Sequence, residues 1–148
     1  MKQSKGFTII ELLVVVAIIS VLAAIVLVNI TGYINKGKNA AIKSNLGTVL
    51  TNAAVHFDVN GNYTTFSASS GYANPAASAV TANGGTVLTF GLNTTTNTSF
   101  CTCSVIRTTT DESGTFCVDS TGYKAVTATA CTTRCTNGAG GTNGECQP

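Results

Sequence analysis

Apolar residues follow three different patterns along the chain. From Phe7 to Val28 nearly every position is apolar and Glu11 is the only charge. A helix of about 22 residues spans roughly 33 Å, enough to cross a bilayer core of about 30 Å. From Ile42 onward the pattern thins to a stripe, Ile42, Leu46, Val49, Leu50, Ala53 and Phe57, with Lys43, Asn45, Thr48 and Asn52 off it. That spacing predicts the amphipathic continuation of the same helix, its stripe packed on a globular head. Asp58-Val59-Asn60-Gly61-Asn62 supplies the turn that ends it.

Between the two halves lie Gly32 and Gly37, each costing about 1 kcal/mol against Ala inside a helix. Any stretching of this helix is expected to centre on Asn29 to Gly37. Beyond Asn62 the apolar residues come in short β-branched runs bounded by turn residues: 86–90, 104–108, 115–119 and 123–127. The last two, joined by Ser120-Thr121-Gly122, read as a hairpin. The expected fold class is α+β: a long N-terminal helix on a small antiparallel sheet, with a disulfide-stapled C-terminal region. Its divisions are 1–6, a basic leader; 7–30, a hydrophobic helix; 31–61, the amphipathic half; and 62–148, the head.

Glu11 needs a physical reason to be where it is. A carboxylate at mid-bilayer costs roughly 2.5 to 3.5 kcal/mol, so it either lies near the interface or has a partner. The leader Met1-Lys2-Gln3-Ser4-Lys5-Gly6 puts its small residue before the apolar core, the reverse of a secretory signal peptide. A cut after Gly6 leaves the whole hydrophobic helix on the product, and it exposes an ammonium on Phe7, close to Glu11 in sequence.

Lys5-Gly6-Phe7-Thr8-Ile9-Ile10-Glu11-Leu12, followed by the apolar run, resembles the class III signal of bacterial type IV pilins and of the related type II secretion pseudopilins. The resemblance implies cleavage after Gly6 by a membrane-embedded aspartyl prepilin peptidase and N-methylation of Phe7. It implies a homopolymer whose helices form the filament core, with Glu11 facing the charged amino terminus of a neighbouring copy. It also implies pilus assembly machinery as a partner, the inner membrane as the precursor's location and an extracellular filament as its destination. Many type IV pilins carry a proline in the apolar part of this helix; here none precedes Pro75.

Composition and charge fit an extracytoplasmic product. All six cysteines, Cys101, Cys103, Cys117, Cys131, Cys135 and Cys146, lie in the last third, as in a small domain stapled in an oxidising compartment. Cys101 and Cys103 point to one side of a strand, which disfavours a bond between them and favours a link from one of them to Cys117. Cys131, Cys135 and Cys146 are expected to close the C-terminal loop, one of them reaching back to the other member of the first pair, with the connectivity left open. The net charge is +2 and becomes zero once Lys2 and Lys5 are removed, which indicates no nucleic-acid partner.

No catalytic constellation is present, and neither an enzyme, a cofactor nor a metal is expected. His56 is the only histidine, and Asp111-Glu112 reads as a turn in a Thr-rich loop, with calcium ligation by Asp111, Glu112, Asp119 and Glu145 as its rival. The favoured function is a structural subunit, the major pilin of a type IV pilus. The alternatives are a pseudopilin of a type II secretion or competence system, and a membrane-anchored binding protein that never polymerises. Adhesion, motility, DNA uptake and secretion all use filaments of this build.

Overall fold

The computed structural model describes residues 6–135 and 144–146, apart from the side chains at 28, 29 and 134. Residues 1–5 of the expected leader and most of the segment between Cys135 and Cys146 lie outside the described residues. The elements run α1 (Ile9–Asn60), a 3-10 turn (Phe66–Ala68), α2 (Ser70–Asn83), β1 (Thr89–Leu92), β2 (Phe100–Val105), β3 (Thr115–Asp119), β4 (Lys124–Thr127) and α3 (Cys131–Arg134). The four strands form one antiparallel sheet in the order β1-β2-β3-β4, so the fold is the expected α+β. By packing, the chain divides into two compact units, Met1–Ile34 and Asn35–Pro148.

Helix α1 is assigned without interruption for 52 residues, through both Gly32 and Gly37. In the first unit its apolar side chains are exposed on every side, among them Ile9, Leu13, Val21 and Leu27. The mean hydropathy reaches 3.1, and the helix is long and apolar enough to cross a membrane. Ser20 turns its hydroxyl back onto the carbonyl of Val16 at 2.8 Å, so its polar group is satisfied within the helix.

In the second unit, the stripe read from the sequence becomes the wall of a core. Ile42, Leu46, Val49 and Ala53 are fully buried, and Leu50 and Phe57 pack at the margin. Tyr63, Phe66, Tyr72, Ala76, Ala79, Leu88, Phe100, Ile106, Phe116 and Val118 complete the cluster. The rings of Phe66 and Phe100 meet edge to face with centroids 5.3 Å apart, and Tyr63 lies 4.8 Å from Phe100.

Helix α2 is a departure from the sequence expectation, which placed only strands in the head. Gly71 and Pro75 read as breakers, yet Tyr72, Ala76 and Ala79 form a buried stripe at helical spacing. Pro75 has no N–H to donate to the carbonyl of Gly71. The side-chain amide of Asn52 on α1 donates to that carbonyl instead, at 2.7 Å. A local defect of α2 thereby becomes a tie to α1. Gly84, in the left-handed region at φ 98°, caps the helix, its N–H donating to Val80 O.

Strands β3 and β4 match the expected hairpin closely. β2 does not: it runs from Phe100 to Val105 rather than over 104–108, and β1 begins at Thr89 rather than Thr86. The cause at β2 is Asn39 of α1, 2 % exposed, which pulls the backbone of Arg107 out of the ladder. Its Nδ2 donates to Arg107 O at 2.8 Å and its Oδ1 accepts from Arg107 N at 2.8 Å, as a paired peptide would. Arg107 Nε then donates to Ala82 O at 3.0 Å, reaching α2.

The loop that follows is held to the same face of α1. Lys36 pairs with Asp111 at 2.5 Å, and Lys43 pairs with Glu112. The lysine beside Asp111 holds that carboxyl below its usual range, and both groups are largely exposed. Gly114 closes the loop at φ 115°, where a Cβ would stand 2.2 Å from Thr127 O.

Two expectations follow. Asn39→Ala leaves the N–H and the carbonyl of Arg107 without their partner and should destabilise the head by about 2 kcal/mol or more, read from denaturant unfolding. Burial pushes the phenol of Tyr72 above its usual value, against the hydrogen bond with Thr102 Oγ1 at 3.1 Å. A phenol whose pKa is raised by folding contributes stability that is intact below the ordinary tyrosine value of about 10 and is lost as pH rises beyond it. The thermal unfolding midpoint should therefore fall from about pH 9 to pH 11, and Tyr72→Phe should remove part of that loss.

Candidate functional site

Gly6 and Phe7 stand open just ahead of α1. Phe7 is 80 % exposed, and a Cβ placed on Gly6 would meet nothing within 4 Å.

Glu11 is bound by its own chain. Thr8 precedes the first helical residue, and its N–H and hydroxyl both donate to Glu11 Oε2, at 2.9 and 2.7 Å. In return Glu11 N donates to Thr8 Oγ1 at 3.3 Å. This is a capping box, in which two otherwise unpaired N–H groups of the first turn are satisfied reciprocally. The spacing Thr8-x-x-Glu11 ahead of an apolar run is its sequence signature, which the reading of Glu11 as a charge in need of a partner passed over. Held here, the carboxylate lies at the positive end of the helix dipole, where the backbone offers unpaired N–H groups to an anion.

The cysteines form the second cluster. Strand β2 alternates Phe100-Cys101-Thr102-Cys103-Ser104, which puts Cys101 and Cys103 on one face and Phe100, Thr102 and Ser104 on the other. Phe100 joins the aromatic core, Thr102 meets Tyr72, and Ser104 accepts from Asn83 Nδ2 at 3.0 Å. The opposite face is buried under the C-terminal segment, where all six cysteines form one cluster with Tyr123 against it.

Two disulfides are present, Cys101–Cys135 with Cα atoms 5.5 Å apart and Cys117–Cys146 at 6.2 Å. The expected link from Cys101 or Cys103 to Cys117 is not formed, although Cys103 is the register partner of Cys117 across β2 and β3. Cys135 reaches back to Cys101 instead, as expected of one cysteine of the C-terminal loop, and Cys117 is taken by Cys146. Cys103 and Cys131 are both buried. The neighbouring Cys103 side chain, as a hydrogen-bond partner, lowers the Cys131 thiol's pKa, helped by Thr115 and Thr89 and opposed by burial.

Asp119 fixes the far end of this layer. It is 1 % exposed, and its Oδ1 accepts from Thr121 N, Thr121 Oγ1 and Tyr123 N, while Oδ2 accepts from Cys146 N at 2.7 Å. Gly144, at φ 77°, passes so close that a Cβ would fall 2.5 Å from Ser99 O. The four acids weighed as calcium ligands are not gathered into one site. Asp111 and Glu112 pair with lysines of α1, and Asp119 serves the turn and the C-terminal backbone. His56 packs its ring 5.2 Å from Phe66, its Nε2 buried without a hydrogen bond, and no acid or nucleophile completes a catalytic set with it among the described residues.

Residues 1–27 match the family described as the prokaryotic N-terminal methylation motif. Over 71 residues the chain is 37 % identical to the type IV major pilin protein PilA of Myxococcus xanthus (strain DK1622). That alignment takes in 48 % of this chain and 32 % of the relative, so the chain spans about a third of the length of the pilin it matches. No solved structure matches significantly. The motif and the relative support one and the same family, that of the type IV pilins.

Proposed function

We propose that this chain is the structural subunit, the major pilin, of a type IV pilus, and that it has no catalytic role. The carrying observation is the first half of α1: an apolar helix exposed on every side, with one carboxylate in its first turn. Such a surface is stable only in lipid or against other apolar helices. A membrane houses the precursor and a bundle of like helices houses the product. The similarity to a major pilin favours this subunit over a pseudopilin.

In this reading residues 1–6 are a leader, removed behind Gly6 by the prepilin peptidase, after which the amine of Phe7 is methylated. Residues 7–30 become the filament core, 31–61 carry the head, and 62–148 face outward. The capping box supplies the step between membrane and filament. Before assembly Thr8 satisfies Glu11 within the same chain, so the carboxylate is never bare. On assembly the ammonium of a neighbouring Phe7 offers it a charged partner in a low-dielectric setting, where opposite charges select the register in which they meet.

Processing has a direct signature. The intact mass of subunits from sheared filaments should lack residues 1–6 and carry one added methyl; a chain still bearing Met1 contradicts the reading. Cap and charge are separable because glutamine also serves in a capping box. Glu11→Gln keeps the cap and removes the charge, so both Glu11→Gln and Glu11→Ala should reduce recovered filaments roughly tenfold or more. Wild-type filament yield from Glu11→Gln would mean that the cap alone is needed.

A further inference from the structure

We propose that Cys103 and Cys131 form a third disulfide, making with Cys101–Cys135 a two-rung ladder that clamps α3 to β2. The argument starts from the bond already present. Cys101 and Cys103 are two residues apart on an extended strand, an advance of about 6.8 Å on one face. Cys131 and Cys135 are four residues apart on one helical turn, an advance of about 6 Å on one face.

That turn is formed, since Cys135 N donates to Cys131 O at 2.9 Å. With Cys101 bonded to Cys135, the matched spacings bring Cys131 over Cys103 when the two elements run in opposite directions. Both side chains lie in the same buried cluster, and the Cys131 thiol has the Cys103 side chain as a hydrogen-bond partner. The competing partner of Cys103, its cross-strand neighbour Cys117, is already bonded to Cys146.

One rung leaves α3 free to pivot about a single cross-link, whereas two fix its direction along the strand. The reaction is a thiol–disulfide exchange with a donor disulfide, carried by an oxidoreductase or a small molecule outside the cytoplasm. Cys131, the more accessible of the two at 8 % exposure, attacks one donor sulfur and forms a mixed disulfide. Cys103 then displaces the second donor sulfur. The new S–S bond replaces two S–H bonds, and the donor leaves as two thiols.

This inference rests on the reading that the head matures in an oxidising compartment. The test uses the full chain, purified from sheared filaments or membranes and denatured without reductant in excess iodoacetamide. Wild type should take no label, be six hydrogens lighter than after reduction, and yield a Cys103–Cys131 linked peptide on digestion. Cys103→Ser should take one label, at Cys131, with the other four cysteines protected. Two labels in wild type, at Cys103 and Cys131, would overturn the third bond while leaving the compartment intact. A peptide linking Cys103 to Cys117 would overturn the ladder. Labelling at all six cysteines would refute the oxidising compartment itself.

Discussion

Strand β2 is buried on both faces, and much of the head follows from that constraint. A strand so placed needs a layer on each side, and its alternation assigns them. Phe100, Thr102 and Ser104 turn to the helices, where the aromatic core and the hydroxyl contacts with Tyr72 and Asn83 receive them. Cys101 and Cys103 turn the other way, to a layer made of cysteines and few large apolar side chains. A thin segment with little apolar surface cannot hold itself to a sheet by burial alone. Covalent cross-links replace the missing hydrophobic contact, and Asp119 adds a charged anchor through Cys146 N.

The helical side of the sheet is organised by borrowed hydrogen bonds. Three asparagines do the work of peptide groups. Asn39 pairs with the backbone of Arg107, Asn52 takes the carbonyl that Pro75 leaves open, and Asn83 reaches Thr86 O and Ser104 Oγ. In each case a side-chain amide on a helix satisfies backbone or hydroxyl groups that the regular elements leave over. This lets a head with short strands and many small residues keep its buried backbone groups paired, while His56 Nε2 goes without a hydrogen bond. The asparagines of the Thr-rich loops act more locally: Asn93 Oδ1 accepts from Thr95 N and Thr96 N, and Asn62 Oδ1 from Thr64 N, the turn role that composition alone suggests.

Legibility in the sequence followed the range of the interaction. The stripe Ile42 to Phe57 and the hairpin at 115–127 depend on local periodicity, and both were readable. Helix α2 was not, because Gly71 and Pro75 argue against it locally and only Asn52, nineteen residues away, removes the objection. The limits of β2 were misplaced for the same reason, since Asn39 acts on Arg107 from 68 residues away. Disulfide partners are more distant still in their logic. Strand parity showed that Cys101 and Cys103 share a face, and a C-terminal cysteine reaching back to one of them was expected, but parity could not choose Cys135 for Cys101 or Cys146 for Cys117. At the amino terminus a local partner was legible but overlooked: Thr8, three residues away, binds Glu11 within the chain.

The glycines of α1 carry a related distinction. Proline removes a backbone hydrogen bond and breaks the helix in the subunit itself. Glycine keeps the bond and only lowers the cost of losing it, by about 1 kcal/mol at each position. The continuous assignment of α1 through Gly32 and Gly37 is therefore what glycine, in place of proline, should produce. A Cβ at either position would meet nothing within 4 Å, so packing within the subunit does not select glycine there. What remains to select it lies in the energy of the helix backbone or in the close approach of another copy, where small residues let helices come together. Either way, the helix of the single chain runs on through both glycines.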